Sequence, residues 1–534
     1  MADTYDVIIV GSGSGGGFLA GEVAPHASVL ILEAGPATVG DPAPGFGSPL
    51  SRRTSTQINL GQYIPDGVSA INSGKLFYNY PIYMDQSNPV FSAVQREAKI
   101  VGGGSQINVG AWIRPLAVDF EGFAEETGVR TWTREDFELH FLKAEQILHV
   151  HRDKRENWNP ASVLYEQTAL SMGIPVMETA SNRHRCIFCG HRLDAGMPCK
   201  YDSLMSTAVT QIPKAISNGA VLLDNSKVLR VEIENRRATG VTYRRGGETF
   251  TARANKLVVL AAGAIGTPAI LFDSGVHSLN DNVGRYLRAH PGVAMDALVP
   301  GTDWNTDRGY QWNCFHYTMK GEERLDVIHH ASAGFPAATP WVAAQVGFFG
   351  KPYKDLMRRY RERTGVFLFQ LKPNMHGRVI GGTSKPVILY QVADTSGLLE
   401  PKTLSDLDAA IRQSAEIFRR MGAIATFPNP NEPTAVFHRE ITQLVTTAGA
   451  LHPQSTCRAG IDRANSVVDE DCMSHDVDNL MICDASVIPN HIACNPNSMI
   501  MAIGSRCSDF VIAQILGKSV SAGAGLGRQS REAR

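Results

Sequence analysis

The sequence predicts an α/β protein in which a Rossmann-like nucleotide-binding domain is interleaved with a second, α+β domain built on an antiparallel sheet. Three observations predict it. The chain opens with a β-branched run that stops at a glycine cluster. A second fully apolar run, Lys256–Leu260, again ends at glycines that open a helix-like segment. The stretch from 291 to about 440 lacks that rhythm and alternates aromatic with polar residues, as in GYQWNCFHYTMKG.

In chain order, Asp6–Val10 reads as a strand and GSGSGGGFLAGEVA as a tight turn opening a helix, because its apolar residues recur at helical spacing. Ser28–Leu32 reads as a second buried strand ending at Glu33, so the first 35 residues form one βαβ unit with parallel pairing. From Gly35 to about Asn88, Gly, Pro, Ser and Asn predominate and predict an irregular excursion. A helix is expected from Arg134 to about Val150, with Thr133 as N-cap and Glu135 close behind. Residues 225–243 read as two strands joined by a turn, and AAGAIGTPAILFDSG continues the 256–260 strand through a turn into a helix. A long helix is expected over Ser405–Met421. NLMICDASVIP returns to strand character, NPNSMIMAIGSRCSDFVIAQIL reads as a buried helix, and the small, polar residues 519–534 predict a disordered tail.

At 534 residues the chain exceeds one ordinary core. Its 43% hydrophobic and 19% charged content suit a globular protein, and a net charge of −1 gives no electrostatic reason to expect nucleic acid or an anionic membrane. Nor is there an apolar run of about 18 residues that would span a bilayer. The N-terminus MADTYDVIIVGSG lacks the features of a secretory signal, so the expected location is cytoplasmic. Nine cysteines, an odd number, argue against a disulfide framework.

Gly11-x-Gly13-x-x-Gly16 lies between the first strand and its helix, with Glu33 seventeen residues beyond the last glycine. Glycines there let backbone approach a pyrophosphate at a helix N-terminus, while an acidic residue ending the next strand accepts from ribose hydroxyls. Together with AKIVGGGSQINVGAWIRP, LVVLAAGAIGTPAILFDSG, NVGRYLRAHP, HPQSTCRAG and NPNSMIMAIGSRCSDFV, taken in that order, the motif resembles the glucose–methanol–choline (GMC) oxidoreductase family nearly end to end.

The resemblance implies a discontinuous FAD-binding domain over 1–60, 90–115, 200–290 and 445–518, with the substrate domain and cap segments over 61–89, 116–199 and 291–444. It places Gly102, Gly103, Gly104 and Ser105 along the flavin, Asn108 near its ring, the Val228 backbone by the adenine, and Asp484 by the ribityl or pyrophosphate. Some family members attach FAD through a histidine where this chain has Ile107, so FAD is expected to be non-covalent. His452 matches the base for alcohol oxidation, with hydride passing to flavin N5. Asn495, forty-three residues on, matches its partner, and His491 is a rival. Pro453 restricts the backbone and holds the imidazole in place.

Cys186, Cys189 and Cys199, with His191 between them, are dense enough to suggest a metal or iron–sulfur cluster, and sugar dehydrogenases of the family carry one at about this place. The alternative is a reduced, loop-stabilising group. A sugar or glycoside is therefore the expected substrate, with oxygen or another electron acceptor and a small partner subunit as further partners. Export by association with such a subunit stays open. Tyr310, Trp312, Phe315 and Tyr317 could stack on a sugar face, although such a stripe is more often core. Two alternatives remain at this stage: an oxidase of a primary or aromatic alcohol releasing H2O2, and a non-redox, FAD-containing hydroxynitrile lyase.

Overall fold

The computed structural model describes residues 3–37, 77–83, 91–188, 199, 201–304, 312–332, 359–374, 376–390, 398–448 and 450–519. Asp3–Val10 buries its last four residues, Val7 to Val10, which is what a β-branched run at the centre of a covered sheet should do. It pairs in parallel with Val29–Leu32 on one side and with the end of Glu248–Leu260 on the other. Val221–Leu223 and Leu480–Ile482 extend the parallel part of the sheet. The first half of Glu248–Leu260 instead joins an antiparallel meander with Arg237–Arg245 and Ser226–Glu234. This strand begins eight residues before the apolar run. Its early residues are mostly exposed, and only the last four form a continuous buried stretch.

One expectation needs correcting. Phe77–Tyr83, inside the stretch expected to be irregular, is a strand paired antiparallel with Phe91–Ala98 and parallel with Val387–Tyr390. Its short aromatic sequence was masked by the surrounding Gly and Pro content. The rest of that stretch, residues 38–76 and 84–90, lies outside the described residues, as does the tail beyond 519.

The second large sheet follows the order Ala425–Phe427, Arg288–Leu298, Arg363–Gln370, Glu323–Ser332, Trp312–Lys320, Met177–Glu178, and all its pairings are antiparallel. The Pro401–Arg420 helix lies against it. It buries Leu404, Leu407, Ile411, Ile417 and Phe418, apolar positions that share one helical face. It starts four residues before the expected Ser405, because Glu400 accepts from the amides of Lys402 and Thr403 and Pro401 suits the first helical position. Thr133 caps the Arg134–Ile147 helix as expected, but its reciprocal partner is Asp136 rather than Glu135.

The Asn497–Phe510 helix packs on the Ser14–Val23 helix closely enough that a Cβ on Gly504 would fall 2.9 Å from the Gly15 carbonyl oxygen. Among the described residues, no helix is long and apolar enough to cross a membrane. Phe418 is fully buried, with its ring 5.5 Å from that of Tyr165. Phe418→Ala is expected to cost about 3–5 kcal/mol in denaturant unfolding, the usual range for an aromatic deleted from a core.

Candidate active site

Ser12 joins the two glycine loops. Its hydroxyl donates to Glu33 (2.7 Å) and accepts from the Gly102 amide (3.0 Å), and its carbonyl accepts from Thr207 (2.9 Å). The loops therefore meet, with a Cβ on Gly103 only 2.9 Å from the Gly13 Cα. Gly11 has φ +99°, and a Cβ there would lie 2.2 Å from the Ala261 carbonyl oxygen, so the first turn admits only glycine. Gly15, which sequence reasoning passed over, is equally constrained: its Cβ would sit 2.0 Å from the Cys483 carbonyl oxygen. A Cβ on Gly16 would strike the Gly11 carbonyl. Gly13 and Gly104 differ, since a Cβ would meet only Gly103 Cα at 3.9 Å in the first case and nothing in the second. The Ser14–Val23 helix also begins at Gly13 without a side-chain cap, leaving its amides directed at this open cradle. Glycine backbone, open space and uncapped amides fit the pyrophosphate of a dinucleotide.

The acidic residues named from the sequence are engaged with the protein itself. Glu33 is buried and also accepts from the Ser12 and Gly35 amides. Asp484 accepts from the Gly263 and Ser486 amides and the Thr267 hydroxyl, so it organises the start of the Gly263–Asp273 helix. Ser105 donates to the Gly102 carbonyl, Asn108 accepts from the Gly110 amide, and the Val228 side chain lies in the core. Glu97, which directly precedes AKIVGGGS and carries no motif of its own, shares that helix start and accepts from the Ile265 amide. Burial, then the nearby Asp484 carboxylate, pushes Glu97 up to about 8.

The structure brings His452 and Asn495 together. Asn495 Nδ2 is 3.3 Å from His452 Nε2, and His452 Nδ1 is 3.0 Å from Nδ1 of His290, a residue sequence reasoning did not single out. A second His-Pro pair, His290-Pro291, was the available signal. If Asn495 donates to Nε2, His452 carries its proton on Nδ1 and donates it to His290. His290 must then hold its own proton on Nε2, 3.4 Å from the Gln454 amide. Turning that amide over presents its otherwise unpartnered oxygen as the acceptor. The chain of donors ends with the His452 Nε2 lone pair beside Asn495.

His452 itself is half-buried and has φ +63°, a left-handed backbone held in place between Leu451 and Pro453. Burial pushes its imidazole down to about 4 and holds His290 well below the ordinary histidine range. The segment that carries His452 begins in the antiparallel sheet, paired with Arg288–Leu298, and continues against the other lobe. There the amides of Ser455, Cys457 and Ala459 bond the carbonyls of Ala485, Ser486 and Val487.

Phe369 packs on His452 with ring centroids 5.2 Å apart. His330 stacks on Trp312 at 4.2 Å; burial, then His452, pushes it down to about 3, while Asn495 pulls the other way. Trp312, Phe315 and Tyr317 are all buried, and the Tyr317 hydroxyl donates to the Ala493 carbonyl, so these rings are wall rather than exposed platform. Tyr310, Cys189 and His191 lie outside the described residues. Cys186 and Cys199 are half-buried, and no metal-ligating group of three occurs among the described residues.

Two tests follow from this geometry. Gly15→Ala is expected to prevent soluble folding, whereas Gly104→Ala should fold and lose FAD affinity, as read by flavin fluorescence after dialysis. Glu97 titrates near 8 when folded but near 4.5 when unfolded, so it remains protonated in the native state where the unfolded state has ionised. Stability should therefore fall as pH rises from about 4.5 to about 8, and Glu97→Gln should flatten that fall in thermal unfolding.

Models of the GMC oxidoreductase family match residues 6–292 and 382–504. The chain is 24% identical over 571 residues to an oxygen-dependent choline dehydrogenase of Burkholderia cenocepacia, covering 95% of this chain and 93% of that protein. It is also 24% identical over 573 residues to an uncharacterised GMC-type oxidoreductase of Mycobacterium bovis, covering 96% of this chain and all of the other. The fold matches pyridoxine 4-oxidase from Mesorbium loti with a TM-score of 0.69 at 17% identity, covering 94% and 98% of the two chains. It matches formate oxidase of Aspergillus oryzae with a TM-score of 0.70 at 18% identity, covering 96% and 98%. At such identities the solved structures establish the fold alone. The family models span most of the chain, and the protein belongs to the GMC oxidoreductases, FAD-dependent enzymes that oxidise CH–OH groups.

Proposed function

We propose that the protein oxidises a CH–OH group of a sugar or glycoside to the carbonyl, with His452 taking the hydroxyl proton and Asn495 holding the substrate oxygen. One observation carries this reading: the His290–His452–Asn495 arrangement leaves His452 Nε2 as an acceptor beside an amide donor. A base held down to about 4 is neutral at pH 7 and ready to accept a proton. As the proton moves to Nε2, positive charge spreads onto a ring whose Nδ1–H already donates to His290. The Asn495 amide steadies the substrate oxygen as it loses that proton. Phe369 packs on the His452 ring, and Trp312 stacks on the neighbouring His330.

FAD, when bound, supplies the two-electron acceptor; the cradle at Gly13 and Gly104 would hold its pyrophosphate, and Ile107 offers no histidine for covalent attachment. The preference for a sugar rests on the resemblance of the cysteine-bearing segment and of SVVDEDCMSHDVDNL to the sugar-oxidising branch. In the same reading, Cys186, Cys189 and Cys199 would hold a cluster, which would supply a route for electrons to an acceptor other than oxygen; iron and sulfide analysis of the purified protein checks this directly.

The deciding experiment mixes holoenzyme anaerobically with a panel of glycosides and simple and aromatic alcohols while the flavin absorbance is followed. Bleaching by a glycoside is expected, with the acid limb of the rate near pH 4 rather than at the ordinary histidine value of 6.5. His452→Asn keeps a side chain that tolerates the left-handed backbone. It is expected to retain FAD and lose about 10²-fold or more in the bleaching rate. Full activity in that variant, or cyanohydrin cleavage without bleaching, would overturn the assignment.

A further inference from the structure

Beside the histidine cluster lies a cavity of about 280 Å³, lined by Asp119, Arg288, Lys372, Asn374, Asn490 and His491, among others. We propose that it is a binding site for a small carboxylate, and the proposal stands independently of the role given to His452.

The cavity is lined by cationic and donor side chains whose own partners only partly satisfy them. His491 is only 8% exposed, and among the described residues its ring nitrogens make no well-aligned hydrogen bond, the Pro373 backbone being the polar group that raises its proton affinity. Arg288 is largely buried, and its nearest carboxylate, Glu126, lies 3.7 Å away. Glu126 is held more closely by Arg458, at 2.7 Å, so it neutralises Arg288 poorly. Asp119, the carboxylate on the cavity wall, is already occupied: one oxygen faces Lys372 Nζ at 3.2 Å, and the other accepts from the Leu116 and Ala493 amides. Among the described residues, Asp119 and Glu126 therefore leave one positive charge uncompensated among Arg288, Lys372 and Arg458.

A buried guanidinium without a close partner and a buried imidazole N–H match the two oxygens of a carboxylate, which takes the forked donor pair better than a spherical anion does. The volume suits an acid of a few carbons rather than a drug-sized ligand. The position also matters. The His491 ring lies parallel to that of His290, with centroids 6.5 Å apart, and His290 bonds His452. A carboxylate bound here is two rings from the His452–Asn495 pair, so its occupancy is felt at turnover. It is either the acid group of the substrate itself or a separate acid.

The test is titration calorimetry of the holoenzyme with acetate and succinate, using acetamide and chloride as controls. Saturable binding of a carboxylate is expected, weakened at least tenfold in Arg288→Gln and in Lys372→Gln, with Arg288→Lys intermediate because it keeps the charge without the fork. Two variants are used so that a folding failure of one leaves the other to read. Steady-state rates then separate the sources: a carboxylate that raises KM at constant kcat occupies part of the substrate site, whereas one that changes kcat is a separate ligand. Either result supports the site. Absence of saturable binding, acetamide binding as tightly as acetate, or unchanged binding in both Gln variants would overturn it.

Discussion

The structure depends on the hydrogen bonds of one buried side chain, Ser12. Its hydroxyl and carbonyl tie the first glycine turn to Glu33 at the end of the next strand, to the second glycine loop through Gly102, and to Thr207. Three separate parts of the chain, at Glu33, Gly102 and Thr207, are thus brought within hydrogen-bond reach of a single residue. In a dry interior each of these bonds must be made, because a lost partner leaves a buried polar group unsatisfied at a cost of about 1–3 kcal/mol. The glycines then follow: with the loops this close, a side chain at Gly11 or Gly15 has nowhere to go.

That constraint explains where the sequence was legible and where it was not. The opening strand, turn and helix are written in contiguous residues, and so is the apolar run at 256–260; local periodicity carries both. The roles of Glu33 and Asp484 are not local. Each was readable as an acid at a strand end, but the oxygens of Glu33 hold Ser12 in the preceding turn, and those of Asp484 hold Gly263 and Thr267, more than two hundred positions away. Glu97 was invisible for the same reason, since its unusual proton affinity arises from burial beside Asp484 rather than from its neighbours in sequence. His290 shows the limit most clearly. Its His-Pro dipeptide was on the page, but only the fold places it against His452.

The histidines near the site share one electrostatic logic. His290, His330, His452 and His491 are all held below their ordinary range, with burial as the largest cause and mutual repulsion adding in His290 and His330. Four imidazoles can crowd together only because none is charged, and this neutrality lets two of them exchange an Nδ1 hydrogen bond. Trp312 stacked on His330 and Phe369 packed on His452 add to the burial of those two rings.

The segment around His452 begins in one lobe's sheet and within a few residues is hydrogen-bonded to the other lobe. A residue placed on such a seam cannot belong to a moving part. If the lobes rocked against each other like a jaw, the imidazole would be dragged from Asn495, which is anchored at the start of the Asn497–Phe510 helix in the nucleotide-binding half. The spacing between His452 and Asn495 is therefore tied to the relative placement of the two sheets.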